Sequence, residues 1–201
     1  MTYHQPVASA QHELKVKGSR FIVDIFPVKS EAEALEQLEG VRKREHGATH
    51  HCFAYVLGTG NELVHRVNDD GEPAGTAGKP IYAVLAGAGM TNVLAVVTRY
   101  FGGVKLGKGG LIRAYGGVVQ EALPLLRTEK FIPTVRMSCQ VSFEQSNLVY
   151  RLIETYSAEL MDQQYSDHVT ISFKIPQHQA EQAAWELFQA SNGQVKAEIH
   201  S

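Results

Sequence analysis

A run of apolar residues, Asn92-Val93-Leu94-Ala95-Val96-Val97-Thr98, leads without a polar break into fifteen residues holding five glycines, four cationic side chains and no acid. Those residues, Arg99 to Arg113, are followed by Tyr115, Val118, Val119, Ala122, Leu123 and Leu126, which with Leu111 and Ile112 follow helical spacing. A buried strand, a glycine-rich basic connector and a helix start commit the chain to layered α/β packing. They also place backbone N–H groups and a positive helix end around one loop, where an anion is stabilised.

The rest of the first half supports that reading. Arg20–Val28 is expected as a strand, and Ser30 with Glu33 as a capping box before a helix bearing Ala34, Leu35, Leu38 and Val41. Thr49–Leu57 and Glu62–Val67 read as strands joined by Gly58-Thr59-Gly60, and a short helix is expected from Pro80. The strand 92–98 and a helix from about Gly109 complete an α/β domain spanning 1–133. In the second half Val135, Met137, Cys139, Val141 and Phe143 alternate with polar residues, predicting a strand with one buried face. A helix through Leu148–Tyr156, strands at Glu159–Tyr165 and Val169–Ile175, a helix through Ala180–Phe188 and a last strand at Val195–Ile199 follow. The order βαββαβ over 134–201 predicts a split-βαβ, ferredoxin-like domain, and the whole chain an α+β protein.

Composition narrows the function classes. No stretch approaches the roughly 20 apolar residues that a membrane span needs, so no membrane partner is expected. Two distant cysteines, Cys52 and Cys139, provide neither a disulfide framework nor a Cys-x-x-Cys metal pair, which fits a reduced cytoplasmic setting. Up to Pro133 there are 15 Lys and Arg against 13 Asp and Glu, a balance of +2; beyond it there are 4 against 8, a balance of −4. From Pro73 to Gln120 no acid occurs, while Lys79, Arg99, Lys105, Lys108 and Arg113 do. Segregation of that kind points to a polyanion for one face, or to burial of much of the segment. Twelve of 18 glycines lie between Gly71 and Gly117, consistent with backbone used as a binding surface and with tight turns.

The connector nearly spells the phosphate loop G-x-x-x-x-G-K-[ST], but Gly109 stands where a hydroxyl would hold magnesium. Phosphate or RNA-backbone binding is therefore favoured over nucleoside-triphosphate hydrolysis. Arg99, Lys105, Lys108 and Arg113 are the candidate phosphate contacts. Gly102, Gly103, Gly107, Gly109 and Gly110 are the candidate backbone surface, and Tyr100 and Phe101 either stack on bases or anchor the loop. His46, His50 and Cys52 can be drawn as a metal set, but structural histidines are the preferred reading, and no metal or other cofactor is expected. Asp69-Asp70-Gly71-Glu72-Pro73 reads as an exposed turn, with a divalent cation or basic partner as the alternative. No catalytic constellation is identified.

Arg99-Tyr100-Phe101-Gly102-Gly103 with Lys105-Leu106-Gly107 and Gly110-Leu111 resembles the hallmark stretch of the IMPACT family, in its bacterial YigZ-type form. Asp69-Asp70-Gly71-Glu72-Pro73-Ala74-Gly75-Thr76-Ala77-Gly78-Lys79-Pro80, Lys17-Gly18-Ser19-Arg20-Phe21 and His46-Gly47-Ala48-Thr49-His50 extend the likeness over about the first 125 residues. The resemblance implies a first domain similar to the second domain of a small-subunit ribosomal protein and to domain IV of elongation factor G. It implies a second domain similar to that factor's domain V. Relatives of those folds work against ribosomal or transfer RNA, and the family is linked to regulation of translation. Eukaryotic members engage the activator of an initiation-factor kinase through an extra N-terminal domain; this chain begins at the shared domain, so that partner is not expected. The leading expectation is a non-catalytic protein that binds RNA or the ribosome. The alternatives are a phosphate- or nucleotide-binding enzyme acting on a small molecule, and a scaffold whose basic loop docks an acidic protein surface.

Overall fold

The computed structural model describes residues 2–200, apart from the side chain of Asn61. It divides into two compact units, 1–131 and 132–201, each with its own core.

The first unit is built from β1 (Tyr3–Pro6), β2 (Ala10–Val16), β3 (Ser19–Pro27), α1 (Glu31–Arg44), β4 (His50–Leu57), β5 (Val64–Asn68), α2 (Gly78–Gly87), β6 (Val93–Tyr100), α3 (Gly107–Ala122) and β7 (Thr128–Phe131). Five strands form an antiparallel sheet in the order β2-β3-β6-β4-β5, while β1 pairs with β7 in a separate ribbon. The apolar run of 92–98 is explained by position: β6 is the central strand and is covered on both faces. Val93, Ala95 and Val97 pack with Ile81, Leu85, Tyr115 and Val118 of α2 and α3. Leu94 and Val96 face the other way, against Ala34, Leu38 and Val41 of α1. A strand buried on both sides has no polar alternation to display.

The caps follow chemistry that is only partly local. Ser30 Oγ accepts from Glu33 N at 3.2 Å, as expected, while Glu33 Oε2 accepts from Lys29 N at 2.7 Å. Helix α2 begins two residues before Pro80, because the Asp69 carboxylate accepts from the N–H groups of Ala77 at 3.0 Å and Gly78 at 2.8 Å. Helix α3 starts at Gly107 rather than Gly109. It buries Leu111, Ala114, Tyr115, Val118, Val119 and Ala122, whereas Ile112, expected in the apolar stripe, is 45% exposed.

The second unit contains β8 (Thr134–Val141), α4 (Ser146–Thr155), β9 (Glu159–Tyr165), β10 (Val169–Pro176), α5 (Ala180–Ala190) and β11 (Ala197–His200). Its antiparallel sheet runs β11-β8-β10-β9. Met137, Cys139, Ile171, Phe173 and Ile175 pack with Val149, Ala183 and Leu187 of the two helices. Strand β8 ends at Val141, so Phe143 lies beyond the buried face; it is exposed and stacks on Tyr165 at 6.4 Å. Among the described residues no helix is long and apolar enough to cross a membrane.

Candidate functional site

Strand β6 delivers the connector and α3 receives it, as the sequence pattern requires. What fixes its path is a main-chain contact. Gly102 lies so close to Gly18 and Ser19 that a Cβ on it would overlap their backbone atoms, and its N–H donates to Ser19 Oγ at 3.2 Å. Gly103 follows at φ 84° and Gly107 opens α3 at φ 71°. Among the described residues no side chain caps the first turn of α3, and that turn contains no acid. Its leading N–H groups and positive dipole end are left for solvent or a ligand.

The four expected cations separate into two kinds. Lys105, Lys108 and Arg113 are exposed, and among the described residues none joins an ion pair. Arg113 Nη1 lies beside Gly109, 3.6 Å from where a Cβ on that glycine would stand. Arg99 instead turns inward. Its side chain is 6% exposed, its Nη1 donates to Glu72 Oε1 at 2.6 Å and its Nη2 to Ser19 Oγ at 3.3 Å. The guanidinium also lies over the rings of Phe21 and Phe101, 5.4 and 5.5 Å from their centroids.

The two aromatics differ as well. Tyr100 is half-buried, donates its hydroxyl to Glu45 Oε2 at 2.8 Å and has Arg20 over its ring. Phe101 is 49% exposed at the mouth of a hollow of about 300 Å³. Pro73, Leu106 and Leu111 supply further apolar wall, Glu72 and Arg99 line it as polar groups, and Lys105, Gly107 and Lys108 complete it.

The acidic turn is not the exposed segment that Asp and Gly suggested. Asp69 accepts three backbone N–H bonds, from Ala77 and Gly78 as above and from Gly75 at 2.7 Å. Burial alone would raise its pKa; those amides, with Lys79, outweigh that and hold it below the usual carboxylate value. Asp70 Oδ2 accepts from His51 N at 2.6 Å, and its carbonyl oxygen lies 2.7 Å from His50 Nδ1. Glu72, with a side chain 4% exposed, accepts from Arg99 and from Tyr115 Oη at 2.8 Å. The turn folds inward because each carboxylate has donors waiting beneath it. None of the three masks the exposed lysines.

The histidines are likewise engaged locally. His51 Nε2 lies 3.2 Å from the Glu45 carbonyl oxygen, and His65 stacks on Tyr82 at 4.4 Å. Among the described residues no cluster of three His, Cys, Asp or Glu is arranged to hold a metal ion. Cys52 is fully buried, 3.0 Å from the Asp69 carbonyl oxygen and 3.4 Å from Tyr115 Oη. Burial above all, with the nearby carboxylates, pushes its thiol up to about 12, which disfavours the thiolate at neutral pH.

Five of the connector residues singled out from the sequence, Arg99, Phe101, Lys105, Gly107 and Lys108, line the hollow, while Glu72, which also lines it, and its partner Tyr115 come from elsewhere in the chain. Glu72 and Tyr115 stand 27 and 16 residues from Arg99 in sequence. The available signals were the last acid of the turn, directly before Pro73, and a tyrosine in an otherwise aliphatic helix stripe.

Comparison with known proteins places this geometry in context. The family model of the Impact N-terminal domain matches residues 17–123, and a model described as a domain of unknown function (DUF1949) matches residues 139–194. An IMPACT family member of Haemophilus influenzae is 33% identical over 198 residues, covering 98% of this chain and 96% of its own length. The IMPACT family member YigZ of Escherichia coli is 34% identical over 192 residues, covering 95% and 94%. A crystal structure titled as that of a hypothetical protein superimposes with a TM-score of 0.73 at 32% identity, covering 100% of this chain and 98% of that one.

Proposed function

The chain belongs to the IMPACT family, and on that premise we propose that it binds RNA, free or in the ribosome, through the connector between β6 and α3, and thereby regulates translation. The observation that carries this reading is the convergence of unpaired Lys105 and Lys108 with an uncapped helix start on one accessible hollow. Lys105, Lys108 and Arg113 contact phosphate, the amides of Gly107–Gly110 add donors, and Phe101 offers a ring face. Arg99 holds the connector over Glu72 and acts through position. Tyr100 anchors the same loop through Glu45. The β11-β8-β10-β9 order supports a ferredoxin-like second domain, in keeping with the likeness to elongation factor G.

The test is a filter-binding and ribosome-pelleting titration over several salt concentrations. Three neutralised phosphates give a log–log slope of about −2 on single-stranded RNA, at roughly −0.7 per contact. Lys105→Ala with Lys108→Ala is expected to reduce that slope to about −0.7 and weaken binding to all sequences alike. A salt-independent affinity, or an unchanged one in the double variant, removes the proposal. Stabilisation by ATP or GTP with magnesium, and none by RNA, replaces it with small-molecule chemistry.

A further inference from the structure

We propose that the hollow beside α3 takes a single unstacked nucleobase bearing an exocyclic amine, its phosphate held outside at Lys105 and Lys108. This deepens the nucleic-acid reading above and rests on it. The argument comes from the difference between floor and rim. At the rim stand two free ammonium groups and the first turn of α3. At the floor stands Glu72, whose side chain is 96% covered and whose Oε1 is taken by Arg99 and Tyr115. The contacts to this carboxylate, from Arg99, Tyr115 and, at 3.9 Å, His50 Nε2, are all to Oε1, and among the described residues Oε2 accepts no hydrogen bond. Arg99 Nε is buried there without an acceptor.

An inorganic anion suits the rim, but once fully ionised it carries no donor for Glu72 Oε2, whose neighbour Oε1 is already paired with Arg99. A wholly apolar guest leaves Glu72 Oε2 unpaired, which is costly in a dry site. The guest that satisfies both ends is anionic outside, flat and apolar in the middle, and carries an N–H donor at its inner edge. Phe101 on one side and Pro73, Leu106 and Leu111 around it supply apolar walls for a ring. A volume of about 300 Å³ lies at the small end of ligand pockets and suits one nucleoside rather than a stack of bases. Adenine, cytosine and guanine present an exocyclic amine to a carboxylate acceptor; uracil offers only its N3–H, set between two carbonyl oxygens that a carboxylate repels.

The experiment is calorimetric titration of the full chain with AMP, CMP, GMP, UMP and inorganic phosphate, then with trinucleotides of the same bases. The amine-bearing nucleotides are expected to bind about tenfold tighter than UMP, the order of one base-edge contact. They are expected to exceed inorganic phosphate by at least as much. Phe101→Ala, at an exposed position, and Leu106→Trp, which fills the hollow, are both expected to abolish the base preference while leaving phosphate binding unchanged. Mononucleotides as tight as trinucleotides identify a free nucleotide as the source, and tighter trinucleotides identify RNA; either supports the base site. Equal affinity for UMP and the other nucleotides, or a preference that survives both variants, overturns it. If RNA affinity still falls in the Lys105/Lys108 double variant, the phosphate reading stands without the base site; if it does not, both fall.

Discussion

Three N–H groups converge on Asp69, a carboxylate six to nine residues before the amides it caps. Asp69→Ala leaves those donors without acceptors and is expected to cost about 1–3 kcal/mol in denaturant unfolding. The pH dependence has a definite sign. The folded-state pKa lies below the reference 3.8, so the contribution is complete above that value and disappears as pH falls through the lower, folded one. Acid unfolding of the Asp69→Asn variant is therefore expected to be shallower below about pH 4 than that of the parent protein. Glu72 and Arg99 make the companion case. Glu72→Ala strands a buried guanidinium and is expected to destabilise by about 3–5 kcal/mol, whereas Glu72→Leu with Arg99→Met loses less than that single change. Urea midpoints of the three proteins decide it. Neither role was legible in sequence. Asp-Asp-Gly-Glu-Pro has the composition of a solvated turn, and only the donors folded beneath it, from β4, β6, α2 and α3, say otherwise.

At the scale of elements, periodicity did most of the reading where one face is wet. Strand β9 was expected at Glu159–Tyr165 and occupies those residues, although every one of them is exposed and no alternation marks it; β10, expected at Val169–Ile175, runs one residue further. Strand β6 was legible for the opposite reason, as an apolar run too short for a buried helix. Strands β1, β2 and β7 went unread. Residues 10–16 do alternate, with Ala10, His12, Leu14 and Val16 half-buried, but only two of those four are strongly apolar, so the signal is faint. The two four-residue strands β1 and β7 exist by pairing with each other across more than a hundred residues, which no local window can register. The connector has its own element-scale prediction. Gly102→Ala forces a methyl group into the backbone of Gly18 and Ser19, and the hairpin of β2 and β3 must shift. A loss of about 1–3 kcal/mol is expected by denaturant titration, of the order seen for overpacked interiors. Gly109→Ala faces only the Arg113 side chain, and is expected to be neutral or slightly stabilising within the helix.

For the whole molecule, the net charge of −2 conceals a division of labour. The positive balance belongs to the first unit, where Lys105 and Lys108 line one hollow; the second unit is acidic on balance. Two cores also mean two sets of substitutions. Ile171, fully buried in the second unit, is expected to cost about 2–5 kcal/mol as Ile171→Ala. The single tryptophan, Trp185, lies in that unit, so its fluorescence in a denaturant titration reads the effect directly.

The backbone meeting of Gly18 with Gly102 has a practical corollary for anyone redesigning this chain. Where main chain touches main chain, amino-acid choice has no room to steer the loop, so its trajectory is inherited from the hairpin beneath. Libraries seeking a new guest should diversify Val104, Lys105, Leu106 and Lys108 and leave both glycines untouched, since decoration can change there while the scaffold stays put.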